Sequence, residues 1–198
     1  MRVAGNTCVP DDPYFIDVFN RCDVFEQENL DLALSFVKKT RVAIDGGAHV
    51  GSWTRYLAKR FHFVAAFEPN PENFECLCAN TLGLSNVGIS RAGLSATFGS
   101  FGLASGNNSG CWHLVEGDGV TTVPLPDYGA LDFLKLDIEG HEAEVLKASE
   151  AILTRYRPIV LIEEKALPHK PLEFEARRVL EGFGFKELVR IRRDVIFG

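Results

Sequence analysis

The 198-residue chain lacks any long hydrophobic run. No apolar stretch approaches the roughly 18 residues that a transmembrane helix requires, and the first residues lack the apolar core of a secretory signal. The five cysteines follow no regular spacing, which argues against a disulfide framework. We therefore expect a soluble, cytoplasmic protein that does not associate with a membrane.

An excess of basic residues is also missing. The 21 lysines and arginines are outnumbered by 27 acids, which gives a net charge of -6. This balance disfavours a general affinity for nucleic acid and favours a small-molecule partner. The length suits a single domain over residues 1–198 and indicates no particular oligomeric state.

Short apolar strands alternate with helical patterns after residue 40. The strand segments are "RVAID", "FVAAF", "NVGIS", "LDFLKLD", "PIVLIEE", "FKELVRI" and "DVIFG". This alternation predicts an α/β fold with a doubly wound, mostly parallel, seven-stranded sheet and helices on both faces. Only Arg192 and Arg193 separate the last two strands, so a C-terminal hairpin should add one antiparallel strand and expose "RIRR" at the surface.

Two segments fall outside this alternation. Residues 1–40 show helical spacing and predict an N-terminal helical extension to a core of residues 41–198. Residues 97–123 are broken by glycines and predict a β-ribbon insertion with a loop at "SGNNSG". Within the core, one helix is expected over 141–156 and another over 172–183. Trp112 and His113 in the ribbon are compatible with an acceptor-site wall or with a half-buried strand.

The stretch "VAIDGGAHVG", residues 42–51, lacks the features of two common phosphate-binding loops. Ser52 and Trp53 follow Gly51 where a P-loop requires Lys and Ser or Thr. Neither Gly46 nor Gly47 has a glycine two positions later, so the dinucleotide fingerprint is absent as well. The loop is therefore expected to bind a ligand without phosphate.

Acids at two strand ends narrow the ligand class. Asp45 ends the first core strand, and Glu68 ends the second. Glycines allow the backbone to approach an amino-acid moiety, while a carboxylate accepts hydrogen bonds from both ribose hydroxyls. S-adenosylmethionine combines these parts. Glycine loops are common in α/β proteins, so Glu68 carries most of this inference.

The segment "KLDIEGHE" supplies candidate catalytic groups. Asp137 ends the fourth strand, with Glu139 and His141 close behind, and Glu163 ends the neighbouring fifth strand. Methyl transfer to an alcohol requires alignment and removal of the hydroxyl proton, which a base or a metal ion can provide. Asp137, His141 and Glu163 are the catalytic candidates, and Asp137 with Glu163 could also bind a divalent metal. Glu142 is interpreted as an acid that complements a helix start.

The segments "IDGGAHVGSWT", "AFEPNPENFECLCAN", "LDFLKLDIEGHEAEVLKASE" and "RPIVLIEEK" together resemble the FkbM family of S-adenosylmethionine-dependent methyltransferases. The resemblance implies a Rossmann-like fold and an O-methyltransferase acting on a small or glycan-like acceptor. It also implies that Glu68 binds the ribose and that Leu94 and Ser95 border the adenine. The residues expected around the methionine end of the cofactor are Asp45, Gly46, Gly47, Ala48, Gly51 and Asp137.

Two other functions remain open at this point. RNA ribose 2′-O-methylation on this fold uses a Lys-Asp-Lys-Glu set, for which the chain offers Lys38 or Lys39, Asp137, Lys165 and Glu187. The acidic charge disfavours that function. A non-catalytic subunit that binds S-adenosylmethionine would retain the glycine loop and Glu68 but have no functioning acceptor site.

Overall fold

The computed structural model describes residues 1–164 and 174–198. Its strands, in chain order, are β1 (Arg2–Ala4), β2 (Thr7–Val9), β3 (Val42–Gly46), β4 (Phe63–Phe67), β5 (Val87–Ser90), β6 (Gly93–Leu94), β7 (Gly99–Ala104), β8 (His113–Val123), β9 (Phe133–Leu136), β10 (Ile159–Glu163), β11 (Glu187–Ile191) and β12 (Asp194–Phe197). Its helices are α1 (Pro13–Arg21), α2 (Gln27–Ser35), α3 (Ser52–Ala58), α4 (Pro71–Thr81), α5 (Glu142–Ala148), α6 (Glu150–Tyr156) and α7 (Glu175–Gly182).

Seven strands form the central sheet in the order β11-β12-β10-β9-β3-β4-β5. The pairs β10–β9, β9–β3, β3–β4 and β4–β5 are parallel, whereas β12 runs antiparallel to both β10 and β11. The predicted sheet and its reversed C-terminal strand are therefore confirmed. Strands β3, β4 and β5 form one half of the sheet, and β9 to β12 form the other half. The direction in which successive strands are added therefore reverses between β3 and β9. Ligands of such sheets bind beyond the carboxyl ends of the strands at this point.

Both faces of the sheet are buried against helices. In β3, Val42 and Ile44 pack into one core with α5, α6 and α7, while Ala43 packs into a second core with α2 and α3. Adjacent residues of a strand point to opposite faces, so a strand covered on both sides is apolar throughout. This explains why the strands of the sequence appear as continuous apolar runs.

The N-terminal segment begins with a β-hairpin that was not predicted. Strands β1 and β2 pair antiparallel around Gly5, whose φ of 53° favours glycine. The side chain of Asn80 on α4 anchors the hairpin, because it accepts from the N–H of Cys8 and donates to its carbonyl, both at 2.7 Å. Three-residue strands are too short to show an alternating pattern. The helices expected in this segment are present as α1 and α2.

The predicted ribbon is present. β7 and β8 pair antiparallel, and the short β6 adds a third strand parallel to β8. The loop at residues 105–112 lies at the tip of this ribbon, as expected from "SGNNSG".

The expected helix over 141–156 is wrong as a single element. It is divided into α5 and α6 at Ser149, whose hydroxyl donates to the carbonyl of Val145 at 2.6 Å. Serine side chains compete in this way with the regular backbone pattern. The helix expected over 172–183 is observed as α7, and its first two residues lie outside the described part. No helix among the described residues is long and apolar enough to cross a bilayer.

Candidate functional site

A cavity of about 480 Å³ opens beyond the carboxyl ends of β3, β4, β9 and β10. The loop after β3, helix α1, the ribbon tip and the β11–β12 turn also contribute residues to its wall. The volume lies in the range of small-molecule sites, which is about 300–1,000 Å³. The cavity therefore coincides with the crevice that the strand order predicts.

The glycine loop folds back over the end of β4. The N–H groups of Gly47 and Ala48 both donate to the carbonyl of Phe67, at 3.0 and 2.9 Å. Gly47 adopts a φ of 74°, and Gly51 starts α3 with a φ of 81°. Gly47, Ala48 and the following His49 line the cavity, so this turn places backbone directly at the ligand space.

The backbone conformation at Gly47 leaves no room for a side chain. A Cβ there would lie 1.9 Å from the carbonyl oxygen of Asp137, whereas a Cβ at Gly83, whose φ is 86°, would meet nothing within 4 Å. We expect Gly83→Ala to lower the free energy of unfolding by about 1 kcal/mol and Gly47→Ala to lower it by about 2–4 kcal/mol. Chemical denaturation of the two variants measures the difference. Equal losses would show that the loop does not press against the end of β9.

Asp45 and Lys135 form a buried ion pair beneath the glycine loop. The Nζ of Lys135 lies 3.3 Å from Oδ1 of Asp45 and donates to the carbonyl of Gly47 at 2.5 Å. Thr54 donates to the other Asp45 oxygen at 2.7 Å. Burial alone would lower the pKa of the Lys135 ammonium, but the carboxylates of Asp45 and Asp137 outweigh it and the net pKa is raised. The Lys135 ammonium therefore stays charged and fixes the loop on the sheet.

Glu68 links the glycine loop to the loop after β4. Its two carboxylate oxygens accept from the backbone N–H groups of His49 and Asn70, both at 2.8 Å. The residue is buried, yet it lines the cavity. Burial raises the pKa of this carboxyl to about 7, although both N–H groups and Lys135 act in the opposite direction. A group that donates hydrogen bonds from the cavity would stabilise the ionised form.

His49 joins the glycine loop to the ribbon tip. Its Nε2 lies 3.0 Å from the hydroxyl of Ser109, and its ring lies 4.3 Å from that of Phe15 on α1. The N–H of Ser109 donates to Asp12, the residue that caps α1, at 2.7 Å. Burial, followed by the charge of Lys135, lowers the pKa of His49 to about 4, so the imidazole is neutral at pH 7.

Three carboxylates gather at the ends of β9 and β10. Asp137, Glu139 and Glu163 each place an oxygen within 4.8 Å of the others, and all three line the cavity. Glu139 is buried and has a φ of 56°, an uncommon conformation for a residue with a side chain. Oxygens at this spacing can serve as a base site or ligate a divalent cation.

Two other residues of this segment are not part of the carboxylate cluster. Glu142 accepts from the N–H groups of Ile138 and Gly140, as expected for an acid at a helix start. His141 packs edge-on against Phe101 of the ribbon at 5.9 Å, and it is not among the residues that line the cavity.

The structure divides the predicted site residues into two groups. Lining the cavity are Gly47, Ala48, Glu68, Leu94, Asp137 and Glu163. The predicted residues that do not line the cavity are Asp45, Gly46, Gly51, Ser95 and His141. Trp112 lines the cavity as well, whereas His113 does not.

Sequence reasoning missed three cations of the cavity wall, which are Lys135, Arg192 and Arg193. A lysine between Leu134 and Leu136 in a strand buried on both faces was an available signal, because an unpaired buried charge is costly. The expectation that "RIRR" only decorates an exposed hairpin is incomplete, since Arg192 and Arg193 are exposed yet border the cavity.

The described residues of the RNA-methylation set do not converge. Lys38 and Lys39 precede β3 and are exposed, so they lie at the amino edge of the sheet, opposite Asp137. Glu187 begins β11, which runs in the same direction as β10, and it forms an ion pair with Arg177. Lys165 lies outside the described residues.

Known proteins with similar sequences are methyltransferases. The methyltransferase FkbM domain matches residues 45–187. The hexuronic acid methyltransferase AglP of Haloferax volcanii is 31% identical over 133 residues, a match that covers 62% of this chain. The matched region spans 55% of that relative, so the chain corresponds to about half of its length.

Solved structures support the fold. Methyltransferase FkbM from Methylobacillus flagellatus superimposes with a TM-score of 0.54 at 17% identity, covering 83% of this chain and 45% of that one. A precorrin-6y C5,15-methyltransferase from Geobacter metallireducens gives 0.55 at 15% identity and covers 99% and 96%. A SAM-dependent methyltransferase from Aquifex aeolicus gives 0.53 at 21% identity and covers 95% and 98%. These structures share the fold of the chain, and the domain match over residues 45–187 shows that the chain belongs to the FkbM family of S-adenosylmethionine-dependent methyltransferases.

Proposed function

We propose that the chain transfers the methyl group of S-adenosylmethionine to a hydroxyl of a small, glycan-like acceptor. The observation that carries this proposal is the Asp137 carboxylate, which lines the cavity directly beyond the glycine loop and beside Glu163. A sugar acceptor is also supported by the Haloferax volcanii relative, which is named for a hexuronic acid.

The cavity wall fits the parts of the cofactor. S-adenosylmethionine carries a sulfonium and an ammonium, which complement the carboxylates of Asp137 and Glu139. Glu68 is assigned to the ribose hydroxyls, because its buried carboxylate faces the cavity and gains from added donors. Gly47 and Ala48 are assigned to the amino-acid end, where only backbone separates the cavity from the sheet.

The remaining predicted cofactor residues receive supporting roles. Leu94 is assigned to the adenine, since it lines the cavity next to the glycine loop, with Ser95 behind it. Asp45 holds the loop through Lys135 and does not itself touch the ligand. Gly46 and Gly51 allow the loop its path.

The cofactor supplies an activated methyl group on a positively charged sulfur. The acceptor oxygen would form a bond to the methyl carbon with its lone pair as the carbon–sulfur bond breaks, and the electron pair of that bond would leave with the sulfur and neutralise its charge. Asp137 takes the hydroxyl proton, and Glu163 orients the acceptor through a second hydrogen bond. We give His141 no part in the reaction, because it packs against the ribbon.

The carboxylate cluster also allows a cation-assisted version of this reaction. A divalent ion held by Asp137 and Glu163 would lower the pKa of a coordinated hydroxyl. The two versions differ in their response to EDTA. If turnover is unchanged by EDTA, Asp137 removes the hydroxyl proton without a metal ion. If turnover is lost with EDTA and restored by Mg²⁺, a bound ion lowers the pKa of the hydroxyl.

The proposal is tested by methyl transfer from labelled S-adenosylmethionine to sugars, sugar acids and RNA. We expect label in a sugar or sugar acid, in a product that survives mild alkali, because a methyl ether resists hydrolysis and a methyl ester does not. An alkali-labile product would move the reaction to a carboxylate. Cofactor binding with no transfer to any acceptor would favour the non-catalytic subunit.

A further inference from the structure

The turn between β11 and β12 projects over the cavity. Ile191 pairs with Asp194 across the hairpin, which leaves Arg192 and Arg193 as a two-residue turn. Asp194 also pairs with Glu163, the last residue of β10. The two arginines therefore extend past the carboxyl end of β10, on the same edge of the sheet as Glu163.

The arginine at the first turn position is unusual. Arg192 has a φ of 56°, a conformation that glycine or asparagine usually occupies in two-residue hairpins. Residues held in such conformations cost roughly 1–3 kcal/mol each and cluster at functional sites. Hairpin geometry alone therefore does not explain an arginine here.

Other arginines near this end of the sheet form ion pairs, whereas Arg192 and Arg193 act on the nearby Glu26 of the cavity wall only through their charge. That charge opposes the burial that raises the pKa of the Glu26 carboxyl. Arg177 and Arg190 both form ion pairs with Glu164. Across residues 1–164 and 174–198, neither Arg192 nor Arg193 has a side-chain hydrogen bond or an ion pair within 4.0 Å. Each guanidinium thus retains its full set of donors at the cavity wall.

The Arg192–Arg193 turn differs in charge from the rest of the described cavity wall. Acidic side chains on the wall include Glu26, Asp137 and Glu139, and the third cation of the wall, Lys135, is already bound to Asp45 and the Gly47 carbonyl. Among the described residues of the wall, Arg192 and Arg193 are the cationic side chains without an ion pair, so their turn attracts an anionic group of the acceptor. The planar fork of a guanidinium matches a carboxylate with two parallel hydrogen bonds.

We propose that Arg192 and Arg193 bind the carboxylate of a sugar-acid acceptor and thereby turn its hydroxyls toward Asp137. This inference rests on the proposed function and adds to it the acceptor class and two specificity-determining residues. With the carboxylate held at the hairpin, a ring hydroxyl and not the carboxylate meets the methyl group.

The test measures binding separately from turnover. Isothermal titration calorimetry of the protein saturated with S-adenosylhomocysteine compares methyl β-D-glucuronide with the uncharged methyl β-D-glucoside. We expect the glucuronide to bind at least about 10-fold more tightly. Arg192→Gln and Arg193→Gln should each weaken glucuronide binding by about 10-fold, with little effect on the glucoside.

Two further variants control for folding and for charge alone. Lys186→Gln removes a cation at the open end of the same hairpin, where Lys186 pairs with Gly198, and it should leave glucuronide binding unchanged. Arg192→Lys with Arg193→Lys keeps both charges and should restore only part of the affinity, because lysine lacks the fork. Thermal melting confirms that each variant is folded.

Three results would overturn the inference. The first is equal binding of the two glycosides by the unmodified protein, and the second is a preference for the glucuronide that survives in both glutamine variants. The third is an equal loss for both glycosides, which would give the arginines a structural role. The proposed function fails separately, when the glucuronide binds through the arginines and no hydroxyl of any acceptor is methylated.

Discussion

Asp137→Asn is expected to lower kcat for methyl transfer by about 10²–10⁴-fold, the usual contribution of a positioned general base. Asparagine keeps the shape of the side chain but cannot accept the hydroxyl proton. The affinity for S-adenosylhomocysteine should change by no more than a few fold, because the proposed contacts of Glu68, Gly47 and Ala48 remain and Glu139 still offers a carboxylate to the ammonium. Steady-state kinetics and calorimetry on the same preparation measure the two quantities.

An exposed aspartate provides the control for this substitution. Asp118 lies at the surface on β8, so Asp118→Asn makes the same chemical change outside the cavity and should leave kcat unaltered. If Asp137→Asn retains full kcat while its melting temperature is unchanged, Asp137 is not the base. If it loses cofactor affinity in parallel with kcat, the residue acts in binding.

Glu68→Gln is expected to weaken binding of S-adenosylhomocysteine by about 100-fold, the loss of two charge-assisted hydrogen bonds to the ribose hydroxyls. The backbone N–H groups of His49 and Asn70 now each donate to one oxygen of the carboxylate. In the glutamine variant the amide NH₂ would face one of these N–H groups, so two donors would oppose each other. Calorimetry at pH 7.5 measures the change. Glu72→Gln, at an exposed position in the first turn of α4, is the matched control and should bind normally.

The same residue predicts the pH dependence of the ligand-free protein. The pKa of Glu68 is raised from 4.5 to about 7 in the folded state, chiefly by burial. Between these values Glu68 holds a proton in the folded protein that it has lost in the unfolded chain, so its contribution to stability falls as pH rises from 4.5 to 7, by roughly 3 kcal/mol. The depressed pKa of His49 contributes in the opposite direction between pH 4 and 6.5, in the unmodified protein and in Glu68→Gln alike. The difference between the denaturation curves of these two proteins should therefore show the slope that Glu68 contributes.

Ligand binding should follow pH in the opposite direction. Ribose hydroxyls donate to the ionised carboxylate, so the affinity for S-adenosylhomocysteine should rise between pH 5.5 and about 7 and then level off. His49, with a pKa near 4, does not titrate in this window. A flat affinity profile would show that the ribose does not contact Glu68.

The central sheet could be predicted from the sequence because strands that are buried on both faces consist mostly of apolar residues. "FVAAF" and "LDFLKLD" therefore predict their strands directly, and the spacing of two residues at Arg192 predicts the hairpin. The β1–β2 hairpin was not readable, since pairing of three-residue strands depends on Asn80, distant in sequence. The break at Ser149 could not be predicted either, because it depends on a hydrogen bond from the serine hydroxyl to the backbone, which the helical spacing of apolar residues does not show.

The site was readable only in part. Acids at strand ends were found because parallel strands bring their carboxyl ends to one edge, which places Glu68, Asp137 and Glu163 around a single cavity. The pattern of apolar and polar residues along a strand does not show which acidic side chain faces the ligand and which one only holds the loop in place. Asp45 is an example, since its pairing with Lys135 requires β3 and β9 to be neighbours. The arginine turn depends in the same way on β12 lying beside β10.

A crystal structure with S-adenosylhomocysteine tests the central claim most directly. The account predicts that both ribose hydroxyls lie within hydrogen-bond distance of the Glu68 carboxylate, that the amino-acid end lies against Gly47 and Ala48, and that the sulfur faces Asp137. A ligand bound away from Glu68, or with its sulfur turned away from Asp137, would contradict it.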